Sequence, residues 1–265
     1  NDVSGEYNGS GYSIQVKVTA PSKGFTIQYA ESIDGPWLNS LSYKNVCSAK
    51  LIYYKVTAEG YSDTVGSAKV TITKRPVTLT SGSASKVYDG TALTKNSVSV
   101  SGSGWVSGQG ATYTYTGSQT DVGTSANTFS YTLNSGTTSG NYAITMKTGP
   151  LTVTKATIPG DGAEPGAGTV LEGGLSKFDA TFVYDGEGHT IKTNELVAAF
   201  RATIGNDFTV SYAVGESGGQ GLPALPPTDA GAWMPVAPDF TNVCVTSVWY
   251  KVTSANYRDF VHEAR

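Results

Sequence analysis

Cysteine is nearly absent from this chain: Cys47 and Cys244 are the only two in 265 residues, so no disulfide framework holds the fold. They sit in matching contexts, Asn45-Val46-Cys47 and Asn242-Val243-Cys244. The reading is two small buried strand residues, with a disulfide or reactive thiol as the alternative. Histidine is as scarce. His189 and His262 have no Cys, Asp or Glu around them at ligand or triad spacing. Charge is low, with 15% Asp, Glu, Lys and Arg against the usual roughly 25%. The net charge is -3 and basic residues nowhere cluster, which excludes nucleic acid as the expected partner. No apolar run approaches the roughly 18 residues of a membrane-spanning helix. No signal peptide is visible, and the chain opens on Asn1 without Met, as a processed or cloned fragment would.

What is abundant is glycine (32) and tyrosine (16). Many aromatics with little net charge argue against disorder. Short Tyr-, Val- and Thr-rich strands joined by Gly-rich turns fit better. The fold class expected is mainly β: three tandem small β-rich, β-grasp-like domains, each with at most a short helix.

One element recurs. Tyr88-Asp89-Gly90 returns as Tyr184-Asp185-Gly186 and, softened, as Tyr7-Asn8-Gly9. Asp-Gly and Asn-Gly close tight turns, because glycine adopts positive φ freely and the Asx side chain bonds its own backbone. The preceding tyrosine is expected to end a strand and pack inward. Since Asn8 replaces the acid in one copy, the motif reads as a marker of a structural repeat and not as a catalytic carboxylate.

Repeat 1 spans 1–74. Its expected strands are 12–18, with Ile14, Val16 and Val18 on one side, then 25–29, 51–57 and 70–74. Repeat 2 spans 75–155, with strands at 76–80, 112–115, 128–133, 142–145 and 151–155. Its closing Leu151-Thr152-Val153-Thr154-Lys155 echoes Val70-Thr71-Ile72-Thr73-Lys74. A Gly/Pro-rich linker or loop fills 156–176. Repeat 3, 177–265, follows repeat 1 closely: Phe208 to Ala213 matches Phe25 to Ala30, and Tyr250-Lys251-Val252-Thr253 matches Tyr54-Lys55-Val56-Thr57. Asn194 to Arg201 has helical spacing, with Asn194 as the expected cap. No partner for Val70 to Lys74 is seen before Arg265, so repeat 3 is expected to lack its closing strand or to close differently.

Candidate chemistry is sparse. Gly215-Glu216-Ser217-Gly218-Gly219 lacks the spacing of a nucleophile elbow. The pairs Asp185/Glu187 and Asp161/Glu164 lie in turn or linker sequence, and the glycines of 102–104 and 108–110 lack a phosphate loop's Lys-Ser/Thr ending. No catalytic residue, metal site or cofactor is expected. Trp37, Trp105 and Trp233 lie in loop-like sequence. Each either lids its own small core or offers an indole to a glycan or a host or extracellular protein.

Lys86 to Thr91, Thr120-Asp121-Val122-Gly123-Thr124, Tyr131-Thr132-Leu133, Gly140-Asn141-Tyr142 and Leu151 to Lys155 resemble, in order, the YDG-type and mostly-β-grasp repeat domains of large bacterial surface proteins. Repeat 3 carries Tyr184-Asp185-Gly186, Thr228-Asp229-Ala230-Gly231 and Tyr250 to Thr253. Repeat 1 departs, with Asn8 for the Asp and no Thr-Asp-x-Gly. The resemblance implies an extracellular, wall-anchored or secreted protein in which such repeats are spacers or adhesive modules contacting neighbouring repeats. It implies no enzyme activity.

Overall fold

The computed structural model describes residues 1–158, 178, 180–215, 226–242 and 246–264. Cys244, Asp161, Glu164, most of 156–176 and the Glu216 to Gly219 stretch lie outside them. The described chain is mainly β, with one α-helix. By packing, it forms two compact units: Asn1–Ala84, Thr94–Ser118 and Ala126–Pro150 in the first, and Ser85–Leu93, Gln119–Ser125 and Leu151–Arg265 in the second.

In the first unit, β1 (Val3–Glu6), β2 (Phe25–Ala30), β3 (Cys47–Ala58) and β4 (Thr64–Thr73) make a sheet of order β1-β4-β3-β2. β1 runs parallel to β4, with Val3 opposite Val70 and Glu6 opposite Thr73. The period-2 pattern read at 70–74 is the pattern of burial: Val70 and Ile72 are buried, Thr71 half-buried and Thr73 exposed. A second sheet sets β5 (Arg75–Ser81) between β11 (Tyr142–Lys147), which runs parallel to it, and antiparallel β7 (Val98–Gly102). β8 (Ala111–Tyr115) and β10 (Phe129–Leu133) form a two-stranded ribbon. Tyr7, Ile14, Ile52, Val70, Ile72, Val77, Leu79 and Tyr142 share one core, each large apolar side chain contributing about 1.5–3 kcal/mol.

The expected strand at 12–18 does not form a ladder. Ile14 is buried and Val16 and Val18 half-buried, with Gln15 and Lys17 exposed, so the alternation is present. Only Tyr12 finds a strand partner, Tyr43. Alternating burial lays an extended segment on a core without supplying the neighbouring backbone that makes a strand.

In the second unit, β6 (Ala84–Val87), β12 (Pro150–Thr154) and β9 (Gly123–Ala126) form a sheet with β12 in the centre. β13 (Phe208–Val214), β14 (Val248–Ser254) and β15 (Phe260–Ala264) form an antiparallel sheet. The helix α1 (Thr193–Ile204) buries Leu196 and Phe200 in a core with Phe178, Ile191, Tyr250 and Phe260. Ala199 packs against that core half-buried. The helix starts one residue before Asn194, with Lys192 in the cap position, so Asn194 lies in the first turn and is not the cap. Gly205 ends it at φ +83, a value at which a side chain would be strained.

Candidate functional site

The three Tyr-Asx-Gly copies build the same turn. Ser10 N donates to Asn8 Oδ1 at 2.8 Å, Thr91 N to Asp89 Oδ1 at 2.9 Å and Glu187 N to Asp185 Oδ1 at 2.9 Å. The following glycines have φ of +80, +76 and +85. Around Asp89 the turn is locked further. Lys86 Nζ donates to Asp89 Oδ1 at 2.6 Å and to Thr91 O at 2.6 Å, and Thr91 Oγ1 donates to the same carboxylate at 2.8 Å. The run Lys86-Val87-Tyr88-Asp89-Gly90-Thr91 is thus one hydrogen-bonded loop. The Lys86 and Thr91 bonds lower the Asp89 carboxyl to a pKa of about 2, which leaves a weak base.

That shift sets a pH window. The folded pKa lies below the unfolded value of about 3.9. The turn's contribution is therefore fully present above about pH 4 and is lost as pH falls towards 2. An NMR titration of Asp89 is expected to show a midpoint near 2 in the intact chain. Lys86→Met should return that midpoint towards the ordinary carboxylate value; an unmoved midpoint would show that the ammonium does not hold the turn.

The tyrosines before these turns differ. Tyr7 is buried at 2% exposure. Tyr88 is half-buried, edge-on to Tyr257 with ring centroids 5.5 Å apart. Tyr184 is 66% exposed, so the inward packing expected of it does not occur; no described strand flanks residues 180–184.

Individual contacts within 1–74 and 177–265 correspond. Tyr12 bridges Tyr43 as His189 bridges Phe240, and Tyr29 bridges Leu38 as Tyr212 bridges Met234. Lys55 Nζ stands 5.0 Å from the Trp37 ring centre and Lys251 Nζ 5.3 Å from that of Trp233. Trp37 and Trp233 are half-buried, and each pairs with a strand lysine of its own repeat as cation–π partner. Trp105 is half-buried, edge-on to Tyr142 at 4.8 Å, with its indole N–H enclosed and without a hydrogen-bond partner. His189 Nε2 lies 2.8 Å from Asp185 Oδ1, and Phe182 stacks on its ring. Cys47 is free and half-buried in β3, its thiol 3.7 Å from Val70 O. Among the described residues, no group of three or more His, Cys, Asp or Glu side chains is placed to hold a metal ion.

The polar side chains that do converge are asparagines, and the same construction occurs twice. In the first unit, Asn141, 3% exposed, accepts from Val46 N at 2.9 Å and donates from Nδ2 to Asn45 Oδ1 at 2.9 Å. In the second, Asn256, 9% exposed, accepts from Val122 N at 2.8 Å and donates to Asp121 Oδ1 at 3.1 Å. In each unit an Asn-Tyr pair therefore grips an Asx-Val pair earlier in the chain. The sequence signal was the shared dipeptides Asn141-Tyr142 and Asn256-Tyr257, set against Asn45-Val46 and Asp121-Val122.

Each grip is reinforced. In the first unit, Arg75 Nε donates to Gly104 O at 2.7 Å and its guanidinium also reaches Ser103 O, Tyr7 O and Glu6 Oε1. Gln109 Nε2 donates to Tyr7 Oη at 2.8 Å while its Oε1 accepts from Tyr142 Oη at 2.5 Å. The glycine tracts of 102–104 and 108–110 thus present carbonyls and an amide to this network. In the second unit, Ala156 N donates to Asn256 O at 3.0 Å and Arg258 N to Ala156 O at 2.7 Å. Lys155 Nζ reaches Ser254 O at 3.2 Å. Burial, then the neighbouring Tyr88, pushes the Tyr257 hydroxyl up.

Residues 72–149 match the family model of the YDG domain. Repeat 2 is therefore similar to that domain through most of its length. No curated protein matches the chain. Solved structures that align with it include Drosophila N-cadherin EC1-3 (7% identity, 99% of this chain and 95% of that chain, TM-score 0.30). Another is the immunoglobulin domains 1-5 of Sidekick-1 (10% identity, 99% of this chain and 56% of that chain, TM-score 0.19). Both similarities are too slight to define a shared fold.

Proposed function

We propose that this chain is a non-catalytic tandem-repeat segment of a bacterial surface or secreted adhesin-like protein, serving as a spacer or as an adhesive module. Three repeats, 1–74, 75–155 and 177–265, follow one another, and the partners of each are its neighbours in the same polypeptide. The observation that carries the reading is the asparagine grip made twice, by Asn141 on Asn45-Val46 and by Asn256 on Asp121-Val122. A row of domains that must transmit force or hold reach needs junctions fixed by directional bonds in place of free linkers. Two buried, doubly bonded asparagines tie residues of successive repeats together, each within one compact unit.

The second reading is a glycan- or host-protein-binding module acting through the loop of Trp233. It is favoured by that ring's partial exposure and opposed by Lys251 standing over it. A glycan array and an extracellular-protein pull-down with the intact chain and with Trp233→Ala separate the two. The spacer reading expects no retained glycan or protein in either case. Binding by the intact chain that Trp233→Ala abolishes would replace it with the second reading.

A further inference from the structure

Among the described residues, Phe182, Val183 and Tyr184 form an uncovered apolar run, 53%, 88% and 66% exposed. Repeats 1 and 2 show what covers this segment when it is covered. Before Tyr7, β1 lies parallel to β4; Tyr7 N donates to Thr73 O at 2.9 Å, and Thr73 Oγ1 reaches Gly5 O at 3.4 Å. Before Tyr88, β6 lies beside β12; Tyr88 N donates to Thr154 O at 2.8 Å, and Thr154 Oγ1 reaches Lys86 O at 3.3 Å. Both covering strands end in alternating Thr and β-branched residues followed by lysine.

Residues 180–183 occupy the place of β1, with Tyr184 in that of Tyr7. Phe182 stacks on His189 with ring centres 4.2 Å apart. Gly5 lies against Tyr12 so closely that an added Cβ would stand 2.5 Å from its Cε1. His189 and Tyr12 are the residues that make equivalent bridges. β15 in turn occupies the place of the first half of β4. Phe260 stands opposite Val252 as Thr64 stands opposite Val56, and Ala264 opposite Val248 as Ala68 opposite Ile52. The residues of β4 that receive β1 are Val70–Thr73, which begin two positions after Ala68. The same step from Ala264 leads to positions 266–269, just beyond Arg265.

We propose that residues 180–184 are the seat of a parallel β-strand with the chemistry of Val70–Lys74, received in line with β15. Its β-branched residues would face the core and its threonines outward. Its fourth carbonyl would accept from Tyr184 N, and its second and fourth N–H groups would donate back across the pair. This is strand addition at an open edge, with the register fixed by the chain's own two precedents.

The test adds Val-Thr-Ile-Thr-Lys after Arg265 and compares it with Val-Pro-Ile-Pro-Lys, which removes the two donors that face the edge. The first extension is expected to slow amide exchange at Tyr184 by roughly 50-fold or more, and the proline extension to leave it fast. Unchanged exchange with the first extension, or equal slowing with both, would overturn the proposal. Sedimentation of the unextended chain covers the other occupant. Self-association that the extension leaves intact and that Val183→Lys abolishes would assign the edge to a second copy and also overturn it.

Discussion

Asn141→Ala is expected to destabilise the first unit by about 3 kcal/mol, read as a drop in the denaturant midpoint of that unit. The side chain is 3% exposed and makes two hydrogen bonds, to Val46 N and Asn45 Oδ1. Alanine removes both and leaves the part-buried Val46 N–H without its side-chain acceptor. The loss therefore includes the desolvation cost of the orphaned donor as well as the bonds. Asn141→Asp separates these contributions. It keeps an acceptor for Val46 N but sets a carboxylate against Asn45 Oδ1, so it should fall between wild type and alanine. Asn256→Ala in the second unit should behave alike, somewhat more mildly, because that side chain is 9% exposed. A stability loss below about 0.5 kcal/mol, the range of ordinary surface substitutions, would mean the grip is incidental.

Arg75→Ala is expected to cost about 2 kcal/mol, with Arg75→Lys recovering less than half. The guanidinium spreads over four acceptors, Ser103 O, Gly104 O, Tyr7 O and Glu6 Oε1. Three of them are backbone carbonyls, so the planar fork matters more than the charge, and an ammonium cannot reach all of them. The Glu6 pair is a minor part. With side-chain exposures of 21% and 36% it is screened, and exposed pairs contribute little. Raising salt to 1 M should accordingly leave most of the Arg75→Ala difference in place; a difference that vanishes at high salt would assign the effect to the ion pair.

What the residues alone revealed follows physical range. β3, β4, β8, β10, β13 and β14 were legible because period-2 alternation of Val, Ile, Tyr and Thr is a local property. The helix was legible from Leu196, Ala199 and Phe200, but its start was not, since Asn194 looks like a cap and sits one residue inside. The segment 12–18 alternates as a strand does, yet strand formation depends on a neighbour that periodicity does not report. The tandem matching of repeats 1 and 3 was visible in Tyr54 to Thr57 against Tyr250 to Thr253. Its structural meaning is a lysine set over Trp37 and again over Trp233, a pairing of residues distant in the chain.

The grips were the least legible feature. Asn141 lies 95 residues from Val46, and Asn256 lies 134 from Val122. Neither asparagine belongs to a pattern of chemistry-bearing residues, because their task is to satisfy backbone and not to react. The Tyr-Asx-Gly motif, by contrast, was legible as a turn from its Asx-Gly dipeptide. Its carboxylate at Asp89 is engaged by three donors, and Asn8 does the same work without a charge.

The most direct measurement is residue-resolved amide exchange in the intact chain and in the two alanine variants. The account predicts that Val46 N–H loses at least tenfold protection in Asn141→Ala while Val122 N–H is unchanged, and that Asn256→Ala does the reverse. Full protection of Val46 in Asn141→Ala, or of Val122 in Asn256→Ala, would contradict the claim that these asparagines hold the Asx-Val segments they bond.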